Sequence, residues 1–239
     1  MIAGLLVAIG FLTRIPVPRQ AFADASARTR SLCWYPAVGL LLGTLLCVFA
    51  WAIRAWPPML AAAATLAAWV ALTGALHLDG LADSADAWIG GLGDRERTLA
   101  IMKDPRSGPG GVVAVVLVLL LKFAALASAP SWPGLLLAPL LGRTALTVAF
   151  LVVPYVRAGG IGEGLRGAPR ASCLSMVVLA AVGCLCLGGP GVASLTATLV
   201  VFAIWRRACL RRLGGMTGDT CGALAELTEA AVLVAVAVA

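Results

Sequence analysis

The sequence predicts an all-α polytopic membrane protein, a helical bundle of about six to seven transmembrane helices with a short apolar segment before them. Three observations lead there. The 239 residues are 61% hydrophobic and 12% charged, more apolar surface than a soluble domain of this length can bury. Long apolar stretches alternate with breaks built on Pro and Gly. Fifteen of the eighteen Lys and Arg fall in the polar connections, the exceptions being Arg54, Lys122 and Arg143. Residues 1–239 read as a single integral membrane domain.

Taken in order, residues 2–12 are apolar but too few to span a bilayer that needs about 20 helical residues. They read as a re-entrant or interfacial piece, retained rather than cleaved, because a basic n-region and an A-x-A site are missing. The basic connection Arg14–Arg30 contains Ile15-Pro16-Val17-Pro18, which breaks any continuous helix. Spans are expected over 35–56 and 59–76, separated by Pro57-Pro58 and forming a hairpin. A polar connection, 77–109, precedes spans over 110–127 and 135–153, joined by the uncharged turn at 130–134. After the connection 157–170, spans over 172–188 and 192–205 flank Gly188-Gly189-Pro190-Gly191. A basic loop with Arg206, Arg207, Arg211 and Arg212 leads to a final helix over 220–239.

The short turns carry no charge, whereas the connections 13–34, 77–109, 154–171 and 206–219 carry fifteen cations and nine acids. Alternating spans put all four on one side, which the positive-inside rule makes cytoplasmic. This explains the net charge of +7 better than nucleic-acid binding, since no basic face with interleaved aromatics occurs. The seven cysteines form no C-x-x-C and read as buried small hydrophobes.

Chemistry concentrates in two polar foci, 77–109 and 206–229. Asp79, Asp83 and Asp86 stand at i, i+4 and i+7, on one face of a helix. Three stacked carboxylates repel one another unless a cation sits among them, and an oxygen-only set suits Mg²⁺ before Ca²⁺ or Zn²⁺. Asp104 reads as a fourth ligand, with Lys103 and Arg106 beside it as phosphate contacts. His77, the single histidine, is a candidate general base or a packing residue. In the second focus Thr217 and Asp219 follow a Gly-rich turn suited to anions or to a helix cap. Glu226, Glu229 and Arg143 are charges inside apolar helices, which default to a functional reading. Together these residues suit a phosphoryl or nucleotidyl displacement at the membrane surface.

The chain resembles the cobalamin synthase family, the adenosylcobinamide-GDP ribazoletransferases. The likeness is carried by His77-Leu78-Asp79-Gly80-Leu81-Ala82-Asp83-x-x-Asp86 and by Ile101-Met102-Lys103-Asp104 with Ser107-Gly108. It extends to Phe11–Pro18, Tyr35–Gly39, Gly142-Arg143 and Thr217–Ala223 with Glu226 and Glu229. Pro105 and Gly108-Pro109-Gly110 depart from the family's usual residues. The resemblance implies an inner-membrane enzyme that joins adenosylcobinamide-GDP to α-ribazole or α-ribazole 5′-phosphate, releases GMP and needs Mg²⁺. It implies Asp79, Asp83, Asp86 and Asp104 as metal ligands and His77 or one of the acids, Asp83 among them, as the base. Arg14, Lys103, Arg106, Arg143 and Arg166 become phosphate contacts. A homo-oligomer, or association with other enzymes of cobalamin assembly, stays open. A CDP-alcohol phosphotransferase is the rival enzyme, but the Asp preceding Asp79-Gly80 and the Arg following Ala82 in that family's motif are missing. An ion-coupled transporter is the rival from another class, and would want acids near mid-bilayer and related halves.

Overall fold

The computed structural model describes residues 2–128, 131–157 and 159–239, so part of the turn expected at 130–134 lies outside the described residues. The helices are α1 (Ile2–Leu12), α2 (Ala25–Ser31), α3 (Tyr35–Ala52), α4 (Pro58–Thr73), α5 (Leu76–Gly90) and α6 (Arg95–Ile101). They continue with α7 (Pro109–Ser128), α8 (Trp132–Val152), α9 (Arg170–Leu185), α10 (Gly189–Leu213) and α11 (Gly218–Val238). No strand forms among the described residues. Their starts follow local chemistry. Pro sits in the first turn of α3, α4, α8 and α10, where its missing N–H costs nothing. Thr217 and Thr220 cap α11 reciprocally.

Helices α8 and α11 form the centre and are buried along most of their length. Helix α3 lies against α8 through Gly39 and Gly43, one turn apart. A Cβ on Gly43 would stand 2.6 Å from the Leu136 carbonyl oxygen, and one on Gly39 would stand 2.8 Å from Leu140 Cα. Such a small-x-x-x-small stripe lets two backbones approach where lipid cannot be told from side chain by hydrophobicity. On the outside, α7 shows Val116, Leu117 and Leu120, α9 shows Val178 and Leu179, and α10 shows Leu199 and Ile204. Exposed apolar rows on this scale belong against acyl chains.

Five helical stretches are long and apolar enough to cross a membrane, six if α4 and α5 count as one bent span. The chain is a multi-pass membrane protein. Two sequence expectations change. The spans expected over 59–76 and 172–188 are the 16-residue helices α4 and α9, about 24 Å each and short of a roughly 30 Å hydrocarbon core. Arg206, Arg207, Arg211 and Arg212 lie on α10 rather than in a loop, because no Gly or Pro interrupts the helix before Gly214. There Arg212 donates to the Trp88 carbonyl at 2.8 Å, and Trp88 stacks on Trp205. The connection 77–109 is mostly helical, as α5 and α6, and α5 is the helix expected to carry Asp79, Asp83 and Asp86.

The break between α4 and α5 places the first polar focus. Gly74 and Ala75 both take left-handed backbone angles, φ 63° and 58°, and the chain turns through 89°. Gly adopts this freely, whereas Ala75 must be held there. Arg14 packs over the elbow: its N–H donates to Leu72 O at 2.7 Å and its guanidinium to Gly74 O at 3.4 Å.

Candidate active site

Helix α5 brings Asp79, Asp83 and Asp86 to one face, as their spacing requires. Its inner face crosses the first turns of α11 at two glycines. A Cβ on Gly80 would lie 2.7 Å from the Asp219 carbonyl oxygen, and one on Gly222 would lie 3.1 Å from His77 O and 3.3 Å from Gly80 Cα. Any side chain here would push the helices apart, so the glycines bring the two polar foci together. A third wall comes from residues 154–157, which pair with Met216: Met216 N–H donates to Pro154 O at 2.8 Å, and Val156 N–H to Met216 O at 2.9 Å. This pairing delivers Arg157 to Asp219, where its guanidinium donates to the carboxylate at 2.7 Å.

Between these walls lies a cavity of about 420 Å³, within the usual range for small-molecule sites. Asp79, Asp219, Arg157 and His77 line its polar side, and Phe11, Tyr35 and Tyr155 are among the aromatic residues facing them. Asp83 stands one turn beyond Asp79, outside the cavity wall and half-buried. Partial burial, then the charges of Asp79 and Asp219, push its carboxyl up to about 6. Such crowding of like charges is what a bound cation relieves.

The four aspartates expected as ligands are not gathered into one cluster. Among the described residues no group of three His, Cys, Asp or Glu side chains is placed to hold a metal ion. Asp86 gives both carboxylate oxygens to backbone donors, Gly108 N–H at 2.6 Å and Gly111 N–H at 2.8 Å, and so anchors the start of α7. Asp86→Ala is expected to cost about 1–2 kcal/mol as a lost helix cap, read as a lower thermal midpoint in detergent. An unchanged midpoint would remove that role. Asp104 forms a two-pronged ion pair with exposed Arg106, 2.7 Å at the closer contact, which holds its carboxyl down at about 2. Lys103 is exposed in the same loop.

The remaining expected contacts are dispersed. Arg14 holds the α4–α5 elbow. Arg166 donates to Tyr155 O and lies over the Tyr155 ring. The hydroxyl of Thr217 is the cap of α11. Arg143, Glu226 and Glu229 do not reach the cavity; they meet one another deeper in the bundle. Arg143 and Glu229 are each 0% exposed and ion-paired. Lys122 of α7 binds both acids, Glu226 at 2.6 Å, and its ammonium lies 4.7 Å from the Trp69 ring centre. The network balances two cations with two carboxylates, the form in which buried charge is tolerated. Among the described residues its link to the site is Arg143 donating to His77 Nδ1 at 3.3 Å. A guanidinium only donates, so Nδ1 accepts and the neutral ring carries its proton on Nε2. The donor left on the His77 ring is therefore Nε2–H.

Arg157, Tyr35, Phe11 and Tyr155 complete the cavity but stand apart from both polar foci in sequence. The available signals were the Phe11–Pro18 and Tyr35–Gly39 motifs and the glycine run 159–164 beside Arg157, a loop able to fold closely over a ligand.

Residues 4–237 match the family model for cobalamin-5-phosphate synthase. The adenosylcobinamide-GDP ribazoletransferase of Stutzerimonas stutzeri is 56% identical over 237 residues, covering 98% of this chain and 97% of that protein. Proteins of the same name from Pseudomonas paraeruginosa and Pseudomonas aeruginosa are 55% and 54% identical, again over 98% of this chain and 97% of each relative. No solved structure matches the chain. The chain belongs to the cobalamin-5-phosphate synthase family and is a membrane-embedded transferase of cobalamin biosynthesis.

Proposed function

We propose that this enzyme joins adenosylcobinamide-GDP to α-ribazole or α-ribazole 5′-phosphate and releases GMP, with Mg²⁺, in the cavity between α5 and α11. The observation that carries the reading is the Gly80–Gly222 crossing, which sets Asp79 and Asp83 against Asp219 and Arg157. That site belongs to a chain more than half identical, over nearly its whole length, to proteins bearing the activity's name.

The donor set fits Mg²⁺. It consists of hard carboxylate oxygens, and Mg²⁺ is commonly held by one or two carboxylates, with water and substrate phosphate completing the shell. Asp79 and Asp83 would hold it, and when bound it would neutralise the diphosphate and steady the leaving group. Asp86 supports this pair by fixing the start of α7 against α5. Arg157 and the His77 Nε2–H are donors for phosphate oxygens. A ribazole hydroxyl attacks the phosphorus next to cobinamide, forming a new P–O bond. The bond from that phosphorus to the oxygen bridging to GMP breaks, and GMP leaves with the electron pair. The hydroxyl proton passes to a carboxylate of the Asp79–Asp83–Asp219 group, because His77 Nδ1 is already occupied by Arg143. The charged connections lie on the side of the site, which favours a cytoplasmic-facing cavity in the inner membrane.

Purified protein given both substrates is expected to form GMP and the joined corrinoid in equal amounts. EDTA should stop turnover and added Mg²⁺ should restore it. Absence of GMP with Mg²⁺ present would overturn the reading, and full turnover in EDTA would remove the metal from it.

A further inference from the structure

A second chamber adjoins the catalytic cavity. It has a volume of about 460 Å³ and is lined by Phe11, Phe22, Arg28, Tyr35 and Gly160, among others. The two spaces share Phe11, Tyr35, Gly159, Gly160 and Leu165, so one wall serves both. Within that wall the Phe11 and Tyr35 rings stack, with centroids 6.3 Å apart and planes 24° from parallel. The chamber is built from the apolar α1 together with α2 and the 159–165 turn, and the last two belong to polar connections, which puts its mouth on the water-accessible side.

We propose that this chamber binds the ribazole substrate, its ring against Phe11, Phe22 and Tyr35 and its 5′-phosphate on Arg28. The inference rests on the reading under Proposed function and adds where the second substrate sits. Two substrates must lie side by side for a hydroxyl of one to reach a phosphorus of the other. The diphosphate belongs beside Asp79 and Arg157, and GMP, leaving from the reacting phosphorus, shares that cavity. The substrate still to be placed has one flat ring system, one ribose and at most one phosphate. The chamber's chemistry matches it. Aromatic faces receive a planar heterocycle. Arg30, the neighbouring cation on α2, is tied to Asp24 and Ser26, whereas Arg28 has no side-chain partner among the described residues. The chamber's acid, Glu163, accepts from Gly159 N–H at 2.7 Å and is held by its own turn.

The test measures binding and turnover of full-length enzyme in detergent. Arg28→Ala is expected to weaken equilibrium binding of α-ribazole 5′-phosphate about tenfold and to raise its KM by a similar factor. Binding of unphosphorylated α-ribazole and the KM for adenosylcobinamide-GDP should stay within about twofold of wild type. Arg28→Lys should recover most of the loss. Phe22→Ala should weaken both ribazole forms and leave adenosylcobinamide-GDP alone. Arg28 and Phe22 are exposed, so the fold should tolerate both changes, and a thermal midpoint in detergent equal to that of wild type checks this. A rise in the adenosylcobinamide-GDP KM, or unchanged ribazole binding in both variants, would overturn the assignment. Wild-type enzyme that makes no GMP would refute the parent reading, whereas the binding arm judges the chamber without turnover.

Discussion

Replacing Glu229 by alanine is expected to destabilise the folded protein by about 3–5 kcal/mol, the usual cost of breaking a buried ion pair from one side. Glu229 is the shared partner of Arg143 and Lys122, and both cations are buried. Its removal leaves two cations facing Glu226 alone, in a region where neither water nor a mobile counter-ion is at hand. The readout is the yield of folded protein after extraction and its thermal midpoint, and both should fall sharply. Replacing Lys122, Arg143, Glu226 and Glu229 together by apolar residues of similar volume should cost much less, because no charge is then left uncompensated. If Glu229→Ala matched wild type in both readouts, the network would not be holding α7, α8 and α11 together.

Asp83→Asn is expected to do the reverse, sparing the fold and removing the chemistry. Turnover should drop at least about a hundredfold, since a neutral amide neither holds Mg²⁺ as a carboxylate does nor takes a proton. Stability should be unchanged or slightly higher. The Asp83 carboxyl titrates above its ordinary range because burial and the charges of Asp79 and Asp219 disfavour the ionised form in the folded protein. The sign follows: at neutral pH the ionised side chain works against folding, and an uncharged isostere relieves that strain. A variant both inactive and less stable would mean that Asp83 braces the fold instead of serving the site.

These opposite expectations mark how far the sequence was readable. The one-faced ladder of Asp79, Asp83 and Asp86 followed from helical spacing alone and is present in α5. Spacing could not reveal that Asp86 turns to the start of α7, because the backbone donors of Gly108 and Gly111 lie more than twenty residues away. Arg143, Glu226 and Glu229 were recognisable as buried charges requiring partners. That they pair with one another and with Lys122 depends on the packing of three helices against one another. The same holds for Arg157, whose meeting with Asp219 is set by the backbone pairing at Met216. Helix boundaries failed where the composition was ambiguous. Four arginines ended the expected span at 205, yet α10 runs on to Leu213 because arginine is a good helix former.

GMP release measured side by side in membranes carrying equal amounts of wild-type protein and Asp83→Asn is the most direct measurement of the proposed site. With adenosylcobinamide-GDP, α-ribazole 5′-phosphate and Mg²⁺ supplied, wild type should release one GMP for each corrinoid joined, and Asp83→Asn almost none. Equal GMP release from both, or none from wild type, would contradict the assignment of this crossing as the site of transfer.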